Sequence, residues 1–393
     1  MTTTVQGHPR APTDYDWLVI GGGPHGRFIA ASIAQAAPAA RLAVVDPMPA
    51  MAAWRARAAA CGMRYLRSSN AHHLGARADS LRRFAAARGY DEAHALGYYR
   101  RPLLALFDAH ARAELGTPRH IPRRARRLSR EHGTWRVELD DDAPTARRVV
   151  LATGPNRPYR PAGLEAAEHV FDWHFALGAP GRATVIVGGG ITGAQLALRA
   201  IGAGHRVCWL TRQPPVRADF DSDPCYAGPR CLAPFADASW AERTALLAQA
   251  RQPGTLPPDI YSAITSALAS GALAWRRGEP ARLCAAGVVL ADGRRIDAER
   301  VILATGFGNR PDADSVLGRA IADFDLATDA AGHLHLDREL AAAPGLHVAG
   351  RPASLQLGPM AGNIKGARLA GRVLATLAGR TTSPAPMAAA AVS

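Results

Sequence analysis

The stretch Asp16-Trp17-Leu18-Val19-Ile20-Gly21-Gly22-Gly23-Pro24-His25-Gly26 decides the fold. A short apolar run that stops at glycines reads as a buried strand entering a tight turn, and the helical spacing of His25 to Ala36 follows at once. Glycines at 21, 23 and 26 satisfy G-x-G-x-x-G. The first allows a sharp turn, the second lets a pyrophosphate come up to the backbone, and the third lets the helix pack on the strand. The helix then presents unpaired amides and a partial positive charge to phosphates. Arg41 to Asp46 supplies a second buried strand and completes a βαβ unit. Asp46 lies about twenty residues beyond the last glycine, where a carboxylate accepts hydrogen bonds from an adenosine ribose.

The same text recurs. Ala183 to Val187 reads as a strand, Gly188-Gly189-Gly190-Ile191-Thr192-Gly193 as a second glycine turn, Ala194 to Ala203 as its helix and Arg206 to Leu210 as the next strand. The end of that strand differs from the first. Thr211-Arg212 stands where an acid would be; an acid there would repel a 2′-phosphate, whereas arginine pairs with one and threonine can donate to it. The second turn therefore favours NADPH over NADH. Each copy closes on one phrase, Leu151-Ala152-Thr153-Gly154 and Leu303-Ala304-Thr305-Gly306, so two nucleotide domains on one plan are expected.

Between these landmarks the pattern predicts mostly helix from Met51 to Leu115, with a polar loop around Ser68 to His73. Paired strands are expected at Trp135 to Glu138 and Arg147 to Leu151, and a Pro-rich linker at Pro155 to Pro161. Gln213 to about Ser270 reads as an insertion, loop-like and then helical. Val288 to Leu290 and Val301 to Leu303 flank Asp292-Gly293, a hairpin signal. A last helix is expected over about Pro359 to Leu377, with fraying from Thr381.

The 393 residues carry a net charge of +14, and 46 of the 47 basic residues are arginine, Lys365 being the lone lysine. The charge is scattered, which suits a solvated surface that attracts a phosphate-bearing cofactor rather than a nucleic-acid interface. No membrane span or secretion signal is expected, and the oligomeric state is left open. The five cysteines include no C-x-x-C pair, so neither a zinc knuckle nor a redox dithiol is expected, and the set suits a reducing cytoplasm. His72-His73 and His333-Leu334-His335 lack a third ligand at helical spacing, so no metal is expected.

A first fingerprint, a second one inserted later and a closing helix after Gly350 resemble the two-dinucleotide-binding-domain flavoproteins. The two Ala-Thr-Gly phrases and His169-Val170-Phe171-Asp172-Trp173, the H-x-x-x-W half of a linker fingerprint, are most similar to the class B flavin monooxygenases, and among them the lysine/ornithine N-hydroxylases. The F-x-G half is missing, Gly163 and Glu165 standing in its places, which counts against Baeyer–Villiger chemistry. Arg351 also replaces the acid of the Gly-Asp pair that flavin reductases carry here.

The resemblance implies an α/β fold of two Rossmann-like three-layer domains, FAD in the first and NADPH in the second, with a partly helical insertion. On that plan 1–14 is a disordered leader, 15–160 plus 338–380 the FAD domain, 178–337 the NADPH domain with its insertion at about 213–275, and 381–393 a disordered tail. Cofactor contacts are expected from Gly21, Gly23, Pro24, His25, Gly26, Asp46, Pro47, Met63, Arg64, Thr153, Gly154, Gly350, Gly358 and Pro359 toward FAD. Gly188, Gly190, Ile191, Thr192, Gly193, Thr211, Arg212, Thr305 and Gly306 are expected toward NADPH. Arg67, His72, Arg101 and Asn363 are the substrate candidates. The implied chemistry is formation of an oxygen adduct at flavin C4a and oxygenation of a small nucleophilic substrate by dioxygen, at an amine nitrogen before a sulfur. No side chain is assigned as acid or base, because the flavin performs the difficult steps. Two alternatives stand beside it: an NADPH-dependent reductase serving a quinone, a ferredoxin or a small disulfide, and a flavin-bearing sensor or binding subunit.

Overall fold

The computed structural model describes residues 13–155 and 157–382. The leader through residue 12 and the tail from 383 lie outside them. Thr13 and Asp14, expected in the leader, are placed: the Asp14 carboxylate accepts the Thr145 amide and hydroxyl, both at 2.8 Å.

The chain forms two compact units, one from Met1–Met51, Glu114–Gly154 and Pro311–Ser393 and the other from Ala52–Ala113 and Pro155–Arg310. In the first, the strand Tyr15–Ile20 lies at the centre of an eight-stranded sheet. It pairs in parallel with Leu42–Val45 on one side and Thr145–Leu151 on the other. Arg119–Ile121 extends one edge, and Leu346–Val348 with Ala341–Ala343 the other. Val19, Val44, Val149 and Val150 are fully buried, as the unbroken apolar run of a parallel strand requires. Helices Pro24–Ala36 and Ile364–Thr382 pack together on this sheet.

In the second unit five short strands are parallel throughout, in the order Leu273–Arg277, Arg206–Thr211, Ala183–Val187, Arg300–Leu303, Glu168–His169. The two glycine turns thus head two sheets of one design. The fold is α/β and Rossmann-like.

Several sequence expectations need correction. Val301 to Leu303 is not a hairpin partner: Gly287–Leu290 pairs with Arg295–Asp297, and Arg300–Leu303 joins the parallel sheet. The Asp292-Gly293 turn is tight, so its partner strand begins two residues later. The last helix runs from Ile364 to Thr382 rather than from Pro359, because Asn363 Oδ1 accepts the amides of Lys365 and Gly366 and fixes its start. The compact units also divide the chain differently from the sequence plan. Residues 311–337 join the first unit, where Val316, Leu317 and Ala320 of the Val316–Asp323 helix enter the core and Asp323 pairs with Arg127 at 2.9 Å. Residues 52–113 join the second, where the Ala52–Cys61 helix packs on Ile191–Gly202.

Two buried histidines give the fold an expected sensitivity to acid. His347 is 2 % exposed and its Nδ1 donates to the Glu339 carbonyl at 2.8 Å; burial holds its pKa below the ordinary 6.5. Burial likewise lowers His169 to about 4. Both are neutral in the fold and gain a proton when it opens, so their stabilisation is complete above the unfolded value and is lost as pH falls. The urea midpoint is expected to drop as pH is lowered from about 6.5 toward about 4, and His347→Gln should flatten that slope.

Candidate functional site

Each glycine of the first turn has a separate physical reason. Gly21 has φ +115°, and a Cβ there would lie 2.2 Å from the Ala152 carbonyl oxygen. A Cβ at Gly26 would lie 1.8 Å from the Gly21 carbonyl oxygen. Gly23 is extended, with φ −77° and ψ −173°, and a Cβ there would meet nothing within 4 Å. The space above Gly23 is open, and the Pro24–Ala36 helix starts there with no side-chain cap. Its first amides therefore face outward unpaired, as an anion site needs.

The second turn repeats this atom for atom. Gly188 has φ +137° and faces the Ala304 carbonyl, a Cβ at Gly193 would lie 2.1 Å from the Gly188 carbonyl oxygen, and Gly190 is open and caps Ile191–Gly202 with no side chain. The Ala-Thr-Gly phrase now has a cause. The alanine amide continues the sheet, Ala152 to Ile20 at 2.8 Å and Ala304 to Val187 at 2.7 Å, while its carbonyl occupies the place a Cβ would take. Gly154 and Gly306, at φ +76° and +79°, then turn the chain away.

The two turns differ at the ends of their second strands. Asp46 accepts the Gly22 amide at 2.6 Å and the Met48 amide at 2.8 Å, which leaves carboxylate lone pairs to spare. Pro47 beside it is exposed. Thr211 occupies the matching place in the second unit, but its hydroxyl donates to the Gln213 carbonyl at 2.6 Å and accepts the Trp275 indole N–H at 2.9 Å. The Thr211 hydroxyl is thus already paired on both sides in this structure. Arg212 is exposed, and Arg277 comes beside it from the neighbouring strand, bonding the Arg212 carbonyl at 3.3 Å and Gln213 Oε1 at 3.1 Å. Sequence reasoning missed Arg277. The register that pairs Thr211 with Arg277 was the signal, and it exists only once the sheet is formed.

Around the first turn, His25 Nε2 donates to the Ala361 carbonyl at 2.9 Å and so joins the turn to the segment after Gly358; burial lowers its pKa and keeps it neutral. Gly350 and Gly358 have φ +88° and +84°, and Pro359 follows. These residues, with Thr153 and Gly154, belong to the first unit. Met63 and Arg64 belong to the second, where Arg64 stacks on the Tyr65 ring at 5.5 Å. At the other turn Ile191 and Thr192 open the helix, and the Thr305 hydroxyl donates to the Tyr159 carbonyl.

The substrate candidates fare differently. Arg67 holds the Ala218 and Asp219 carbonyls and the carbonyl and hydroxyl of Thr255, at 2.8 to 3.0 Å. Arg101 is 3 % exposed, pairs with Asp259 at 2.5 Å and donates to the Leu66 carbonyl. Both therefore act as structural ties, Arg101 keeping one buried Nη that has no partner among the described residues. Asn363 is likewise used as a cap. His72 is half-buried in the loop beside His73, whose ring lies in a buried chain with Ser80 and His110. His169 is fully buried and accepts the Phe171 amide, while Trp173 is 66 % exposed.

The cysteine expectation also changes. Cys225 and Cys231 form a disulfide, with Cα atoms 5.5 Å apart, because Pro224–Ala227 and Pro229–Asp237 fold back around Gly228. A spacing of six hid the pair from a C-x-x-C reading. Cys61, Cys208 and Cys284 are unpaired, and burial raises Cys61 to about 11. Among the described residues no group of three metal-ligating side chains converges, and no helix is long and apolar enough to cross a membrane.

Fold and turns together define a dinucleotide-binding α/β protein with two Rossmann cradles. Residues 18–156 match the family described as FAD-NAD(P)-binding. No curated protein matches the chain. Among solved structures, L-lysine 6-monooxygenase from Pseudomonas syringae aligns at TM-score 0.71 and 18 % identity, covering 94 % of this chain and 100 % of that one. Bacillithiol disulfide reductase from Staphylococcus aureus aligns at 0.61 and 13 %, covering 95 % and 100 %. OTEMO in complex with FAD and NADP aligns at 0.58 and 15 %, covering 94 % and 84 %. At these identities the likeness is one of fold, shared by monooxygenases and reductases alike.

Two outcomes follow from the site. Gly26→Ala should cost more than about 2 kcal/mol in urea unfolding, since backbone must move, whereas Gly23→Ala should stay within about 1 kcal/mol and weaken cofactor retention instead. Alkylation of the denatured chain should add three labels before reduction and five after it, counted by mass; five before reduction would show Cys225 and Cys231 as thiols.

Proposed function

We propose that the chain is an FAD- and NADPH-dependent monooxygenase acting on a nucleophilic heteroatom of a small amino-acid-like metabolite, an amine nitrogen before a sulfur. The observation that carries the two-cofactor part of this reading is the pair of complete glycine cradles with opposite polarity at their ribose ends, Asp46 at one and Arg212 with Arg277 at the other; the choice of monooxygenase rests on the resemblance of the linker residues. Both cradles fit a pyrophosphate: each has an open glycine and uncapped helix amides where the phosphates would approach.

In this reading Gly21, Gly23 and Gly26 hold the FAD pyrophosphate and Asp46 its adenosine ribose. Gly188, Gly190 and Gly193 hold that of NADPH, and Arg212 and Arg277 grip the 2′-phosphate. Arg277 donates through Nε and one Nη to backbone and Gln213, so it is already oriented, while Arg212 supplies the free fork. His25 stays neutral and fixes the segment after Gly358 through Ala361, holding it near the first cradle without placing a proton there. Bound flavin would take a hydride from NADPH and use dioxygen as oxidant.

A specific observation favours a second reading, a reductase working through a disulfide: Cys225 and Cys231 are already paired. The two separate cleanly. Reduced anaerobically with NADPH and mixed rapidly with oxygen, a monooxygenase is expected to show a transient absorbing in the near ultraviolet before flavin reoxidation. Immediate reoxidation with peroxide release, together with two new thiols per chain under NADPH alone, would establish the reductase.

Cofactor choice is tested apart from chemistry. Arg212→Ala and Arg277→Ala should each cut the kcat/KM preference for NADPH over NADH by about tenfold or more, the scale of one charge-assisted phosphate contact. An unchanged preference in both variants would move the 2′-phosphate elsewhere.

A further inference from the structure

The Ala52–Cys61 helix, Ala-Ala-Trp-Arg-Ala-Arg-Ala-Ala-Ala-Cys, has no bulk along one side. Ala53, Ala56 and Ala60 fall at spacings of three and four, so they share one face. They floor a cavity of about 290 Å³ within the second unit. Its wall is aromatic: Phe171 stacks flat on Phe307 at 5.1 Å, Phe175 lies beyond it, and the indole of Trp173 stands 66 % exposed at the edge.

Two arginines line this space. Arg57 lies over the Phe307 ring at 5.0 Å and, among the described residues, has no hydrogen bond and no ion pair. Burial alone depresses its pKa, with no carboxylate acting on it. Arg199 gives one Nη to the Ala60 carbonyl at 2.5 Å and keeps the rest of its fork exposed. The one acid in the lining, Asp172, is neutralised by Arg160, one Nη of which contacts both carboxylate oxygens at 2.5 and 2.7 Å. A half-buried guanidinium without a counter-ion is costly, and it is most simply relieved by an anion that enters from solution.

We infer that this cavity is a binding site for a flat aromatic monocarboxylate, its ring against Phe171, Trp173 and the alanine floor and its carboxylate on Arg57 and Arg199. The space is of a size that suits a small one- or two-ring acid. Arg199 lies nine residues along its helix from Gly190, about 13 Å at 1.5 Å per residue, so the second turn's phosphate seat is a different place.

Indole-3-acetate and its neutral amide, indole-3-acetamide, test this by calorimetric titration of the full-length protein. The acid is expected to bind once per chain, with Kd on the order of 1 mM or tighter, and the amide about tenfold more weakly. Arg57→Gln should weaken the acid about tenfold, and Ala56→Leu should abolish its binding by filling the floor while leaving the melting temperature unchanged. No saturable binding of the acid, equal affinity for acid and amide, or affinity unmoved by Ala56→Leu would overturn the assignment. The acid–amide comparison needs no variant. None of these readouts involves turnover, so they stand apart from the monooxygenase reading.

Discussion

A backbone carbonyl pressed against a glycine is the constraint on which the molecule depends. Ala152 O occupies the volume a Cβ would take at Gly21, and Ala304 O does the same at Gly188. That contact lets the crossing strand continue the sheet right up to the turn, and the turn in turn places an uncapped helix end at the carboxyl edge of the strands. Any side chain at those two positions would push the strand away and close the space where phosphates come. The third glycine of each motif repeats the constraint one layer down, against the carbonyl of the first. Two independent cradles thus rest on the same two close approaches.

Beyond the cradles, function is divided by charge. One ribose end is an acid whose oxygens are partly occupied by backbone amides; the other is a pair of arginines held from adjacent strands. On the proposed reading the protein distinguishes two similar dinucleotides by polarity at a single strand end, with nearly identical phosphate seats. The same economy explains why the fold is shared by monooxygenases and reductases, and why site chemistry rather than architecture must separate them.

Much of this was legible in the residues because it is local. Strand, glycine turn and helix follow one another within about twenty positions at 15–36 and 183–202, and the Ala-Thr-Gly phrase repeats in plain text. What was not legible depends on distant partners. Arg67 reads as a loop cation near a substrate until its acceptors at 218, 219 and 255 are seen, more than 150 residues away. Arg277 acquires meaning only from strand register. Cys225 and Cys231 escape a C-x-x-C reading because their approach depends on two short helical turns folding around Gly228. The Val301 to Leu303 hairpin expectation failed for a related reason: an apolar run near a turn fits either an antiparallel partner or a buried parallel strand, and burial of Ile302 and Leu303 chose the second.

Arg67 also governs how the insertion behaves. One guanidinium gathers acceptors from both ends of the segment between Ala218 and Thr255, so a residue outside the insertion ties its entry to its exit. The two ends of the insertion are thus held side by side by four hydrogen bonds that converge on one side chain.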